Sequence, residues 1–307
     1  MIFILCGFFY NHYTMGRLRK IHGYEVLATL GSGAKSTIYA VKDRDSHVYA
    51  LKHVIKEGPK EQRFLDQAIL EHNVASRLKH PNLRCSYKLF RHRNLLRTTE
   101  VFVLMEMVDA VTFEQYKPAT YIDYCRLFQQ VASGLEAMHE AGYVHADIKP
   151  NNIMITDANQ VKLIDFGQSC VIDTIKKRIQ GTPDYIAPEQ VKRHKITPLT
   201  DVFNLGATMY WLLTGRHVPT MIPKQRRIRK VDENPCPTLA ELNPKIPLAL
   251  STLVMDCVRR IPSQRPVSME VLRERLALAI SQLERDEGNS VADASLNPDS
   301  RPQSSAI

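Results

Sequence analysis

The chain has 307 residues, of which 44% are hydrophobic and 24% charged, a balance that can bury a core and excludes a fibrous or wholly disordered polypeptide. Its formal charge of +9 favours anionic partners without choosing among acidic protein, phosphate-rich ligand, lipid and nucleic acid. Six scattered cysteines, with no C-x-x-C pair and no histidine cluster at metal-ligand spacing, fit a reducing, cytoplasmic setting.

The opening MIFILCGFFY is apolar but too short to span a bilayer, and no Lys or Arg precedes it, so no stable membrane insertion is expected. Residues 1–23 read as an extension, either an apolar flap or a stretch upstream of a start at Met15, after which GRLRK lacks the Ser/Thr of a myristoylation signal. Tyr24 to Ile55 alternates β-branched and polar residues around a glycine turn and predicts antiparallel strands. A helix is expected over Glu61 to Lys79, where Phe64, Ala68, Glu71, Ala75 and Leu78 share one face and put a carboxylate on an apolar stripe. Val101 to Met107 suits a buried strand and completes a strand-rich first unit.

From Tyr121 the apolar residues recur at helical spacing as far as Met138, with Gly142 where a helix-ending glycine belongs. Short strands are expected at Tyr143 to His145, Ile153 to Ile155 and Val161 to Ile164, a buried helix at Phe203 to Leu213, and an amphipathic helix at Leu272 to Leu283. Residues 285–307 have too few large apolar side chains to offset chain entropy and read as a disordered tail.

Three groups of residues carry chemistry. Gly31-Ser32-Gly33-Ala34-Lys35-Ser36 lies between strands, where absent Cβ atoms let backbone N–H groups approach a polyphosphate, although alone it reads more readily as a plain hairpin turn. Lys52, inside the hydrophobic strand Tyr49-Ala50-Leu51-Lys52, is costly to bury without an anion, and Glu71 poses the complementary problem. Pairing the two solves both. The third group is His145-Ala146-Asp147-Ile148-Lys149-Pro150-Asn151-Asn152, followed by Asp165-Phe166-Gly167 at a strand end.

These residues resemble the catalytic and magnesium-binding loops of eukaryotic-type protein kinases, and Gly181 to Glu189 is similar to the segment that closes the family's activation loop. The resemblance runs from about Tyr24 to Leu283 and implies an α+β, bilobal fold, with a small antiparallel-sheet lobe over 24–108 and a mostly helical lobe over 109–284. It implies Mg-ATP as the phosphoryl donor, with Mn²⁺ as an alternative ion, and Ser/Thr hydroxyls of proteins as acceptors, the chain itself among the candidates. Asp147 becomes the catalytic base, Lys149 a γ-phosphate contact, Lys52 and Glu71 the ion pair, and Asn152 and Asp165 the metal ligands. The nucleotide cleft takes Leu30, the glycine-loop residues Gly31 to Ser36, Ile38, Ala50 and Lys52, with Met105 as gatekeeper and Glu106 to Val108 as the hinge beside adenine. Glu189 is expected to pair with Arg265, and Asp201 to hold the catalytic-loop backbone. The short GTPDYIAPEQ segment looks similar to bacterial serine/threonine kinases.

Two departures stand out: Ala146 replaces the arginine usual before the catalytic aspartate, and Ser36 replaces the third loop glycine. The first removes a cation that commonly holds a phosphorylated activation loop, so activity is expected without modification of Ser169 or Thr174. The run Lys224 to Lys230 is a candidate dock for an acidic partner, and Cys170 is expected to be unreactive. A small-molecule kinase of the aminoglycoside or choline type and a non-catalytic pseudokinase are the rival readings. Lys149 and Gly181 to Glu189 argue against the first, and the full set Lys52, Glu71, Asp147, Asn152 and Asp165 against the second. No nucleic-acid recognition motif is present, and neither oligomeric state nor a specific substrate is legible.

Overall fold

The computed structural model describes residues 20–33, 35–94, 97–219 and 236–296; the apolar opening, Ala34 and the Lys224 to Lys230 run lie outside them. The first lobe is one antiparallel sheet built from β1 (Lys20–Ile21), β2 (Tyr24–Ser32), β3 (Ser36–Lys42), β4 (Val48–Ile55), β5 (Ser86–Asn94) and β6 (Arg97–Glu106), in the order β1-β2-β3-β4-β6-β5. β1 falls within the stretch read as an extension, because Gly23 at φ +88 turns the chain and lets Lys20 pair with Glu25. Register sets Lys52 between Ile38 on β3 and Val103 on β6.

Helix α1 (Gln62–Ala75) packs across this sheet and buries Leu65, Ala68, Glu71, Val74 and Ala75. It is shorter than the predicted span: Pro59–Glu61 forms a 3₁₀ turn before it, and the chain leaves the helix four residues before His80-Pro81, a pair that disfavours helical backbone. Leu78 is nevertheless buried.

The second lobe begins with β7 (Val111–Thr112) and α2 (Tyr121–Glu140), whose start is fixed by a capping box between Thr120 and Asp123. β8 (Tyr143–Val144), β9 (Ile153–Ile155) and β10 (Val161–Leu163) flank the polar loops, with sheet order β10-β9-β7. β11 (Cys170–Val171) pairs with β8, and β12 (Thr174–Ile175) pairs with β13 (Lys195–Ile196) beyond α3 (Pro188–Lys192). α4 (Pro198–Thr214) is buried on almost every side, and Gly206 is required there: an added Cβ would lie 2.4 Å from Cys257 Cβ.

α5 (Leu239–Leu242) and α6 (Leu248–Cys257) close the lobe, and α7 (Met269–Leu296) lies against α2 with Arg273–Glu136 at 2.9 Å. Of the stretch read as a tail, residues 285–296 continue helix α7, as a helical hydrogen-bond ladder propagates at low cost once nucleated, and residues 297–307 lie outside the described residues. The large core runs through α2, α4, α6 and α7, while the small lobe has a separate core around Ala50, Leu65, Val103 and Met105. Among the described residues, no helix is long and apolar enough to cross a membrane.

Candidate active site

The site lies where the sheet lobe meets the loops of the second lobe. β4 delivers Lys52 and α1 delivers Glu71, with Lys52 Nζ 2.6 Å from Glu71 Oε2. The other oxygen, Oε1, accepts from Arg84 Nη2, also at 2.6 Å. Arg84 drew no attention in the sequence because it belongs to no periodic face and sits in the loop after His80-Pro81-Asn82. Burial alone would lower the Lys52 pKa, but the charges of Glu71 and Asp165 outweigh it and raise it. Lys52 is therefore an ammonium at neutral pH.

The loop after β8 is held open by Asp201 on α4, whose carboxylate accepts from His145 N at 2.8 Å and Ala146 N at 2.7 Å, as expected, and is also hydrogen-bonded to His139 at 2.9 Å. Ala146 is fully buried at φ 61 among Val144, Ile196, Cys170 and Ile172, so the position that commonly carries an arginine faces an apolar cluster. Lys176 instead reaches under the segment after β12 and donates to the Gln168 carbonyl, a contact the sequence gave no reason to expect. Burial pushes the Cys170 thiol up, which keeps it protonated.

Asp147 Oδ1 accepts from Thr182 N at 2.9 Å and Thr182 Oγ1 at 2.8 Å, while Oδ2 accepts from Lys149 Nζ at 3.1 Å. Lys149 also donates to Thr182 Oγ1 at 2.9 Å, closing a three-residue ring. Asn152 Nδ2 donates to the Asp147 carbonyl at 2.9 Å, which leaves its amide oxygen for another partner. Asp165 stands at φ 63 with one hydrogen bond, from Gly167 N at 3.4 Å. Desolvation pushes the Asp165 pKa up, but Lys52, His145, Lys149 and Arg84 more than reverse this and hold it below the usual aspartate range. An amide oxygen and an ionised carboxylate on adjoining loops form a hard-oxygen donor set that fits Mg²⁺. These two residues, Asn152 and Asp165, are the ones that would hold the ion.

A cavity of about 210 Å³ lies behind Lys52, lined among others by Glu71, Phe64, Gln67, Asp165 and Gly167. Leu30, Ile38, Ala50, Glu106 and Val108 are not among the residues that line it. Gly33 N donates to Ser36 O at 2.7 Å at the tip of the β2–β3 hairpin, whose ladder also takes in Gly31 and Ser32. Lys35 lines the same cavity and also pairs with Glu57 at 2.5 Å and Glu61 at 2.9 Å, which hold its pKa above the usual lysine value. Met105 is buried at the end of β6, and the adjacent Glu106 carboxylate meets Lys162 at 2.7 Å and Cys85 N at 3.0 Å.

Below the site, Glu189 receives both Nη atoms of Arg265, at 2.7 and 2.9 Å, which is the expected pairing. Gln190 was overlooked: its amide donates to Ala146 O at 2.8 Å and Gln180 O at 3.2 Å, joining the catalytic loop to the segment before Thr182.

A probable serine/threonine-protein kinase of Clostridium acetobutylicum is 27% identical across 79% of this chain and 37% of its own length. The serine/threonine-protein kinase PrkC of Bacillus subtilis is 26% identical across 80% of this chain and 39% of its own length. PknL of Mycobacterium tuberculosis, a serine/threonine-protein kinase, is 31% identical across 83% of this chain and 67% of its own length. The chain thus spans well under half the length of the first two relatives. Residues 24–276 match the family model described as the protein kinase domain, and the chain belongs to that family.

Proposed function

We propose that this chain transfers the γ-phosphate of ATP to serine or threonine hydroxyls of proteins. The observation that carries the reading is the closed ring of Asp147, Lys149 and Thr182, which fixes a carboxylate beside an ammonium. Asp147 accepts the acceptor hydroxyl's proton as the oxygen attacks, and Lys149 offsets negative charge on the transferring group. Lys52, oriented by Glu71, holds the phosphates, and the hinge from Glu106 to Val108 meets adenine. Asn152 and Asp165 would hold Mg²⁺, which would supply charge neutralisation on the phosphate oxygens. Thr182 and Lys149 together favour a protein Ser/Thr acceptor over a small molecule.

The chain itself is among the proposed substrates, and the five free cysteines among the described residues support the proposal of a reducing, cytoplasmic setting. The test is incubation with labelled ATP and Mg²⁺ beside the Asp147→Asn variant, followed by phosphoamino-acid analysis of the chain and a generic basic protein. Phosphoserine or phosphothreonine that disappears in the variant supports the reading. Nucleotide binding without transfer points to a pseudokinase or to a small-molecule acceptor.

A further inference from the structure

The face beside Thr182 carries positive charge that phosphoryl transfer does not use. Lys177 and Arg178 are exposed on the segment leading to Thr182, and Lys192, Arg193, His194 and Lys195 are exposed where α3 runs into β13. The fold brings these two sequence runs together: Ile175 lies opposite Lys195 in antiparallel register, and Arg193 Nη1 donates to the Lys177 carbonyl at 3.2 Å. A hydrogen bond from His194 N to Glu189 O at 2.9 Å ties the second run to the buried floor of the site.

Among the described residues, the one carboxylate paired into this face is Asp173, 3.9 Å from Lys195 Nζ with both side chains more than half exposed. No ion pair among the described residues engages Lys177, Arg178 or Lys192. Five lysines and arginines held together on a hydrogen-bonded framework repel one another, and a polyanion laid across them relieves that repulsion.

Position gives this charge a meaning that a solvated patch elsewhere lacks. Lys177 is five residues before Thr182, so even a fully extended chain keeps the two within roughly 18 Å. Thr182 touches Asp147, so a substrate whose hydroxyl reaches Asp147 passes this face within about five of its own residues.

Resting on the kinase reading above, we propose that this face selects substrates by binding a run of aspartates and glutamates on one side of the acceptor residue. The attraction is between charges at an exposed surface, so recognition falls with salt.

The test compares three peptides with one Ser acceptor, flanked on one side by glutamates, alanines or lysines, in the wild type and in a Lys177→Glu, Arg178→Glu, Lys195→Glu variant. We expect kcat/KM for the acidic peptide to exceed that of the neutral one by about tenfold in the wild type, and the ratio to fall to about one in the variant. Activity on the neutral peptide stays unchanged, which shows that the variant folds. Equal kcat/KM for acidic and neutral peptides in the wild type overturns the proposal. A second measurement does not need catalysis: anisotropy of a labelled acidic peptide with alanine at the acceptor position. Weaker binding to the variant supports the docking face even if no peptide is phosphorylated, in which case it is the kinase reading that fails. Equal binding to both proteins, or tighter wild-type binding of an RNA oligonucleotide of matched charge, overturns it.

Discussion

Arg84 and Lys52 hold opposite oxygens of the same carboxylate, each 2.6 Å from Glu71. Glu71 is 1% exposed, and two cations rather than one offset its desolvation. Replacing Arg84 with Met leaves Glu71 paired to Lys52 and should cost about 1–3 kcal/mol, the range for losing one charged hydrogen bond. Glu71→Ala strands two cations together and should cost about 3–5 kcal/mol. Urea unfolding of the two variants checks this order; the reverse order would contradict the shared clamp.

Asp147→Asn keeps the side chain's size and an oxygen for Thr182 but removes the base. It should lower kcat by roughly 10²- to 10⁴-fold while nucleotide binding persists. Steady-state kinetics together with nucleotide titration separates the two effects.

Ser169 is 2% exposed, and Ala146 sits in an apolar cluster at the position where an arginine commonly receives a phosphate. The segment is already tied down by Gln190 to Ala146 O and Gln180 O, and by Lys176 to Gln168 O. Phosphatase treatment should therefore leave activity unchanged, and Ser169→Ala should match the wild type. A large loss after dephosphorylation would show that a phosphate at Thr174 or elsewhere is doing the ordering.

Asp201 provides an acid-side test. Desolvation alone would raise its pKa, but the hydrogen bond and charge of His139, the charge of His145 and the Ala146 N–H together bring it below the ordinary aspartate value of 3.8. A depressed folded pKa stabilises the protein above the unfolded value, and that contribution is lost as pH falls through the folded one. The stability gap between wild type and Asp201→Asn should be widest near neutral pH and shrink below about pH 4. Urea midpoints measured as a function of pH report it.

Gly206→Ala should destabilise by about 1–3 kcal/mol, the usual range for overpacking, because the new methyl meets the Cβ of Cys257 across the α4–α6 contact. A Cys257→Gly exchange in the same chain should recover part of the loss, measured by thermal unfolding.

Much of the site was legible because its chemistry is written in short contiguous runs. Lys52, Glu71, Asp147, Lys149, Asn152 and Asp165 each belong to a strand, a helical face or a loop motif whose local pattern marks them, and the Glu189–Arg265 and Asp201 contacts followed from the family resemblance. Arg84, Lys176 and Gln190 left no such mark, since their importance comes from partners 13, 8 and 44 residues away that only the folded chain brings close. Lys35 lines the same cavity as Lys52, but its ion pairs with Glu57 and Glu61 were not marked by the glycine-turn pattern. The ends of α1 and α7 were displaced because helix boundaries depend on turn geometry and hydrogen-bond propagation more than on apolar spacing.

The loop that carries Arg84 has a further consequence. Although it precedes β5 of the small lobe, Arg84 N donates to Leu163 O at 3.0 Å, Leu163 N donates to Asn82 O at 2.8 Å, and Leu83 bridges Leu163. By its backbone, Arg84 is fastened to the large lobe; by its guanidinium, it grips a helix of the small one. Any swing of the small lobe must then draw Glu71 against a guanidinium that stays behind, so opening of the cleft and displacement of α1 are geared to each other. A compound that wedges the cleft open would strain the Arg84–Glu71 contact without touching either residue.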